Sequence, residues 1–446
     1  MGLKGCLPRV GNVKLIFNSA VLLILVGAQV IMPGWASAQP RVLTLPEALA
    51  IALEKNKDIL KAREYRNLVA GRYVEERAAA LPQVSLNSSI FRSRDESQRA
   101  FGNFFPLEQE VRTSDLSLSQ VLFTFGQVGA AIRGAKIGVE SAEVQLRLFR
   151  QAALLNVSTT FYDCLLAGEL LELARQNREQ KIRHQEEVRH KLKLGVATDY
   201  DVLAAEVAVK NAFPEVTRME NLQRTARERI RFLLGIGDTE LDVQGKLDQE
   251  IAPYPPLDEA LAKSRRKRPD LADLGYQIKI AEELVTIAGA GNKPRLDLKA
   301  DWGWSDLQVE GGRADGPAWM AGLFLTYPIF DGLRTKGKVA QARSNLATLK
   351  LEEAKLLDGI LLQTREAVDN LREAGEIVKA LSATVEQADR LLLLAEKGYE
   401  FGVKTKLEVD DAALNRLQAR GNLARARRDY LAAQAALEWV TGTIGE

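Results

Sequence analysis

The chain has 446 residues, and its 61 basic side chains nearly balance its 59 acidic ones, for a formal net charge of +2. This balance gives no reason to expect a nucleic-acid partner, because proteins that bind nucleic acids concentrate positive charge. Two histidines and two cysteines leave little material for a metal site, and no phosphate-binding or dinucleotide-binding glycine loop occurs. Composition therefore favours a protein that is not an enzyme and has no cofactor.

The amino terminus has the order of a secretory signal peptide. Three basic residues precede an apolar stretch at about residues 20–32, and small residues follow at 36–38. We predict a signal peptide over residues 1–38, cleaved after Ala38, which leaves 408 residues. Cys6 leaves with this peptide and has no lipobox before it, so we expect no lipid anchor and no disulfide within the mature chain.

The rest of the chain carries two copies of one plan. The segment 45–50 (LPEALA) recurs as 257–262 (LDEALA) at an offset of 212, and Gly195 recurs as Gly402 at an offset of 207. Three parts therefore follow the signal peptide: a first structural repeat over residues 39–236, a linker over 237–256 and a second repeat over 257–446.

Each copy reads helix, strand, loop, strand, very long helix, tight turn, helix. The first helix is predicted to run from residue 45 to about Ala80. Residues 126–194 contain no proline and would form a helix about 100 Å long at ~1.5 Å per residue. Residues 333–400 repeat that length. Coiled-coil spacing of three and four residues predicts a packing seam at Ile137, Val144, Leu148, Leu155, Tyr162 and Leu165.

The strands are predicted from alternation with a period of two, over about ten residues each. Leu296, Leu298, Ala300, Trp302 and Trp304 fall on one face, for example. Such lengths suit tilted membrane strands, although a soluble β-sandwich edge remains the alternative for any one of them. Four strands cannot close a pore, because small barrels need about eight. We therefore expect a barrel that several copies share.

The order of elements and four short segments resemble the TolC family of outer membrane efflux proteins, over about residues 43–446. Segments 120–123 (QVLF) and 327–332 (YPIFDG) look like the family's strand-to-helix junctions, and 194–198 and 399–405 look like its helix-pair turns. The fold that this resemblance implies is mostly α with membrane β. It is a trimeric, twelve-stranded outer-membrane β-barrel with four strands per chain, continuous with a long periplasmic α-helical barrel.

The function implied by the resemblance is a passive exit duct of a tripartite efflux or type I secretion system. Its partners would be two further copies of the chain, outer-membrane lipid, a periplasmic adaptor (membrane fusion protein) and an inner-membrane pump, with no nucleic acid. The alternative is a periplasmic coiled-coil adaptor or scaffold protein. Adaptors usually interrupt one helical hairpin with many short strands, and the two matching halves of this chain argue against that plan.

The resemblance also implies roles for particular residues. Glu408 and Asp411 match carboxylates of a periplasmic constriction, and a ring of such groups from three copies would favour protonation of some of them. Asp201, Tyr399 and Lys404 match a latch that holds the entrance shut, with lysine in place of the more usual arginine. The residues that match the adaptor-docking tips are Leu194, Gly195, Val196, Phe401, Gly402 and Val403.

Other reactive groups are given structural interpretations. His184 and His190 stand six apart on a helix, which does not suit a zinc site, and we assign them to a solvated face. Cys164 lies in an apolar run and is predicted to be a buried small hydrophobe. The basic run at 265–268 is read as another solvated helix face.

Overall fold

The structure is a computed structural model that describes residues 41–96, 108–309 and 311–446, so the predicted signal peptide lies outside the described residues. The helices are α1 (Leu45–Lys55), α2 (Lys57–Ala78), α3 (Gln127–Lys193), α4 (Asp199–Leu234), α5 (Leu257–Lys267), α6 (Pro269–Gly289), α7 (Arg334–Glu400) and α8 (Lys406–Val440). The strands are β1 (Arg41–Leu43), β2 (Gln83–Arg94), β3 (Glu108–Phe123), β4 (Leu241–Val243), β5 (Arg295–Val309) and β6 (Gly312–Thr326). None of the helices in these ranges combines the length and apolar character of a membrane span.

The two predicted long helices are present, and each has 67 residues. At ~1.5 Å per residue both are about 100 Å long. The helix α3 begins after Gly126 and α7 begins after Leu333, and both of these residues have left-handed backbone angles, with φ of 85° and 66°. This sharp change of direction lets each long helix start directly beyond a strand.

The first predicted helix is wrong as a single element, because it breaks at Asn56 into α1 and α2. Asn56 is buried, and its side-chain oxygen accepts hydrogen bonds from the backbone N–H groups of Asp58 and Ile59 at 2.9 and 3.2 Å. Its side-chain amide donates to the carbonyl of Leu233 at 2.7 Å. The side chain thus caps the second helix and fastens the break to α4, an interaction that helical periodicity does not reveal.

The break between α5 and α6 falls at Arg268, immediately before Pro269, as expected for the residue that precedes a proline. Arg268 is 7% exposed, so its assignment to a solvated face is wrong, whereas Arg265 and Arg266 are exposed. Its guanidinium binds Asp270 at 2.6 Å and lies 5.8 Å from the ring centre of Trp439. This buried arginine joins the helix break to α8.

The helices pack in two connected layers. The order near the sheet is α2–α3–α6–α7, and at the far end it is α4–α3–α8–α7. The two long helices therefore belong to both layers, while their shorter neighbours change halfway along. In the far layer α4 and α7 are the outer helices.

The packing seam of α3 is displaced from the predicted one. Val144 is buried, but the other five predicted positions are only partly buried. The buried stripe has the same three-four spacing one position away, and its central members are Leu154, Val157, Phe161, Cys164 and Leu171. The shift arises because helices pack on both sides of α3. The prediction for Cys164 is confirmed, since it is 3% exposed and burial raises its pKa to about 12.

The four long strands form one antiparallel sheet in the order β2–β3–β5–β6, with 12, 16, 15 and 15 residues. They are longer than predicted. The register places Leu86, Leu116, Trp302 and Trp319 side by side in one row across all four strands. This face is uncovered in one copy, where Trp302 is 66% and Trp319 is 76% exposed.

The opposite face of the sheet is polar on β2, β3 and β5, while β6 adds Met320 and Phe324 to it. The amide of Asn87 donates to the carboxylate of Asp115 at 3.1 Å and to the hydroxyl of Ser117 at 2.9 Å. The predicted alternation is therefore confirmed. A second, parallel pair formed by β1 and β4 was not predicted, because three-residue strands carry no periodic signal.

Candidate functional site

Two tight turns lie at the end of the molecule opposite the sheet. Residues 194–198 join α3 to α4, and residues 401–405 join α7 to α8. Gly195 has φ +74° and Gly402 has φ +70°, which are left-handed angles that glycine adopts without strain. Beyond each glycine the chain folds back, so that the amide of Val196 donates to Lys191 and that of Val403 donates to Gly398, at 2.9 and 2.8 Å.

The side chains at these turns are apolar and exposed. Leu194, Val196, Phe401 and Val403 are 64%, 71%, 80% and 78% exposed. The six predicted docking residues therefore lie at the two tips. Contiguous apolar groups on a surface commonly mark a site of protein contact.

Each tip helix begins with a capping box, which was not predicted from the sequence. Thr198 and Asp201 satisfy each other's backbone N–H groups, and Thr405 and Glu408 do the same. The carboxylate of Asp201 accepts from the amide of Thr198 at 2.8 Å, and that of Glu408 accepts from the amide of Thr405 at 2.8 Å. The signal was present in the spacing Thr-x-x-Asp and Thr-x-x-Glu.

The ammonium of Lys404 binds the carboxylate of Glu408 at 2.5 Å. Hydrogen bonds from Lys404 and Thr405 lower the pKa of Glu408 to about 2. Hydrogen bonds from Thr198 likewise lower the pKa of Asp201. In a single copy the environment of Glu408 thus keeps it ionised. The protonation expected in a ring of three copies stays a prediction.

The remaining predicted residues are close to the tips but not joined as a latch within one copy. In the described part of the chain, no hydrogen bond connects Asp201 with Lys404 or Tyr399. Asp411 is exposed, about one helical turn beyond Glu408. The ammonium of Lys191 lies 5.7 Å from the ring centre of Tyr399, and this contact links α3 with α7.

A polar cluster near the tips was not anticipated. His184 on α3 is half-buried, with its Nδ1 3.8 Å from the carboxylate of Glu187. Burial lowers the pKa of His184, and the charge of Lys406 on α8 lowers it further. Lys406 also binds Asp410 at 3.1 Å. The solvated-face assignment is therefore wrong for His184, while His190 is exposed.

Two aspartates bind arginines of α8 and hold the far layer together. Asp389 on α7 binds Arg416 and Arg420 of α8 at 2.7 and 3.0 Å. Asp163 on α3 binds Arg428 of α8 at 2.6 Å. Among the described residues, no group of histidine, cysteine, aspartate and glutamate has the arrangement of a metal site.

A sequence model of a protein family described as "Outer membrane efflux protein" matches residues 48–236 and 260–443. The chain belongs to this family. The resemblance to the TolC family is thereby confirmed, and so is the outer membrane as the location of the protein. As a member of the outer membrane efflux protein family, the chain is a channel protein.

Individual relatives of this family member are distant but extend over most of its length. The chain is 24% identical over 406 residues to outer membrane protein TolC of Escherichia coli, covering 88% of this chain and 80% of that protein. It is 25% identical to the alkaline protease secretion protein AprF of Pseudomonas aeruginosa, covering 86% and 80%. The fold matches that of the Campylobacter jejuni CmeC outer membrane channel with a TM-score of 0.79 and 17% identity, over 90% of this chain and 85% of that one.

Proposed function

We propose that the chain is one subunit of a homotrimeric, passive exit duct that serves a tripartite efflux or type I secretion system. The observation that carries the proposal is that both the sheet and the far helical layer of one copy end in elements without a neighbour in that copy, one on each side. The sheet ends in β2 on one side and β6 on the other, and the far helical layer ends in α4 and α7.

Three copies would close the sheet into a twelve-stranded barrel. Unpaired edge strands attract further strands, and pairing of β2 with β6 of the next copy removes every edge. Twelve is an even number of strands, as in bacterial outer-membrane barrels. The apolar face with its tryptophans would contact lipid, and the polar face that carries Asn87 and Asp115 would line the pore.

The helical edges support the same assembly through the repeat. At the offset of 207, three residues of the α3–α8 contact, His184, Glu187 and Asp410, correspond to Leu391, Leu394 and Leu203. Leu391 and Leu394 are 50% and 59% exposed on α7, and Leu203 is 61% exposed on α4. A second copy that places its α4 against α7 would cover all three leucines.

A groove between α7 and α8 has a volume of about 380 Å³ and is lined in part by Asn370, Ile377 and Asp429. Asn370 corresponds in the repeat to Asp163, whose region of α3 is occupied by α8 of the same chain. In the repeat α7 corresponds to α3, and α8 corresponds to α4. The helix that fills the groove on α7 would therefore be α4 of the neighbouring copy. The proposed division into two repeats and a linker rests on the same correspondence.

The tips are the proposed docking site for a periplasmic adaptor and an inner-membrane pump, because their exposed apolar residues project from the end opposite the sheet. Glu408 and Asp411 are the proposed constriction. In one copy Asp201 binds Thr198 and Lys404 binds Glu408, each within its own turn. We therefore propose that the latch with Tyr399 forms through contacts between neighbouring copies. The duct itself catalyses nothing, and its partners supply the energy.

Cysteine cross-linking tests the assembly. The pair Leu203→Cys and Leu391→Cys should cross-link neighbouring copies with a short bismaleimide and give species of up to three chains. The matched pair His184→Cys and Asp410→Cys, at the corresponding positions within one chain, should give no intermolecular product.

Membrane fractionation of the unmodified protein completes the test. A heat-resistant trimer in the outer-membrane fraction is expected. A monomer in the periplasmic fraction, with no intermolecular product from the Leu203 and Leu391 positions, would contradict the proposal and favour the adaptor or scaffold alternative.

A further inference from the structure

His184 lies at the contact between α3 and α8, about two and a half helical turns before the end of α3. Its side chain is 29% exposed, and its Nδ1 is 3.8 Å from Glu187. It is one of only two histidines in the chain, and histidine is the side chain whose charge ordinarily changes between pH 5 and 8. A titratable ring is thus packed into a helix contact that belongs to the entrance.

Charged groups face this ring from both helices. Lys406 and Asp410 approach from α8, and Glu187 lies on α3 itself. Lys406 is bound to Asp410 at 3.1 Å, and Glu187 is bound to Lys191 at 2.6 Å, so both carboxylates already have cationic partners. Within the described ranges, α4 places no charged group among those that shift the pKa of His184.

The corresponding contact in the repeat has a different chemistry. Leu391, Leu394 and Leu203 replace His184, Glu187 and Asp410, and Asp199 replaces Lys406. In the proposed trimer this second contact joins α7 to α4 of the next copy. Contacts that contain a histidine would therefore alternate with contacts built mainly from leucine side chains.

We propose that His184 makes the entrance acid-sensitive: protonation of its imidazole loosens the α3–α8 contact within each copy and leaves the α7–α4 contact between copies closed. This inference rests on the proposed function. The ring would gain its charge in a half-buried place beside the ammonium of Lys406. The carboxylates of Asp410 and Glu187 are each bound to a lysine and offset only part of this cost.

The direction of the effect follows from the lowered pKa of His184. Neutral His184 stabilises the packed contact at pH values above the ordinary histidine pKa of about 6.5. This contribution is lost as the pH falls through the lowered pKa, because the loosened form binds the proton more readily. If the pKa of His184 is one unit higher in the loosened contact than in the packed one, protonation favours the loosened contact by up to about tenfold.

The first test is a titration by NMR of the full-length trimer, labelled at histidine Cε1 and purified through a tag without histidines. Only two resonances are expected, and His184→Gln identifies the one that belongs to His184. His184 should titrate below the ordinary histidine pKa of about 6.5. Titration of His184 at or above that pH would overturn the proposal.

The second test measures the movement with spin labels at Glu186→Cys on α3 and Leu414→Cys on α8, with buried Cys164 unlabelled. Their separation should increase between pH 7.5 and pH 5, and His184→Gln should abolish this increase while His190→Gln retains it. An unchanged separation, or the same increase in His184→Gln, would overturn the inference. Neither measurement needs channel activity. A failure of the proposed function would instead appear as the absence of cross-linked trimers, so the two failures can be distinguished.

Discussion

The turn glycines allow a docking role to be separated from a folding role. Gly402 and Gly442 have nearly the same left-handed φ, +70° and +72°, but different surroundings. A Cβ added at Gly402 meets nothing within 4 Å, whereas a Cβ at Gly442 meets the backbone carbonyl of Lys267 at 2.8 Å. Gly402→Leu should therefore cost only the backbone strain of about 1–2 kcal/mol. Gly442→Leu adds a steric overlap with backbone that cannot move aside.

We expect Gly402→Leu to form outer-membrane trimers and to lose adaptor binding and export, because the new side chain projects between Phe401 and Val403. Gly442→Leu should instead reduce the amount of folded trimer. Gly402→Asn is the control for strain, since asparagine tolerates left-handed angles, and it should export normally. The measurements are heat-resistant trimer yield, adaptor pull-down and export. Normal export by Gly402→Leu would place docking elsewhere, and equal trimer yields for the two leucine variants would refute the steric argument.

Four further predictions concern charges in the helical region. Glu408→Gln with Asp411→Asn should reduce cation preference in planar bilayers, and unaltered selectivity would exclude these residues from the path. Because the pKa of Glu408 is lowered to about 2, Glu408 should stay ionised and contribute to cation preference as the pH falls from neutral to about 4. Loss of cation preference between pH 6 and pH 4 would contradict this. Asp201→Ala with Lys404→Ala should raise the open conductance if both belong to the latch, and an unchanged conductance would remove that role. Asp389→Ala should lower the free energy of unfolding by about 1 kcal/mol, since the ion pairs that it removes are more than one-third exposed and therefore screened; an unchanged thermal midpoint would show that they contribute nothing.

Regular features of the fold were predictable from the sequence because each repeats along the chain. The absence of proline over residues 126–194 and 333–400 predicted the long helices to within one residue at each end. Alternation around Trp302 predicted the apolar face of the sheet. The glycines at 195 and 402 marked the turns, since both need a left-handed backbone.

Features that depend on tertiary partners were not predictable in this way. Asn56 interrupts a helical pattern because its side chain caps one helix and binds the carbonyl of Leu233 in another. Arg268 belongs to a basic run that suggests solvent, but Gln363 and Trp439 lie beside it in the folded chain. The burial of His184 likewise depends on α8, which begins more than 200 residues later. The candidate site residues were predicted through the family resemblance, and their roles stay predictions. The capping boxes could have been predicted from spacing alone.

The pairing of β3 with β5 has a consequence for the order of folding. Gln109 pairs with Val309, so this central ladder joins residues up to 200 positions apart, while the hairpins α3–α4 and α7–α8 join neighbours in sequence. Contacts between distant residues form more slowly than local ones, because a long loop must close first. The helical hairpins can therefore form while the strands are still separate. The tryptophan-bearing surface is then completed last, which shortens the time for which it is exposed to water and to aggregation before it reaches the bilayer.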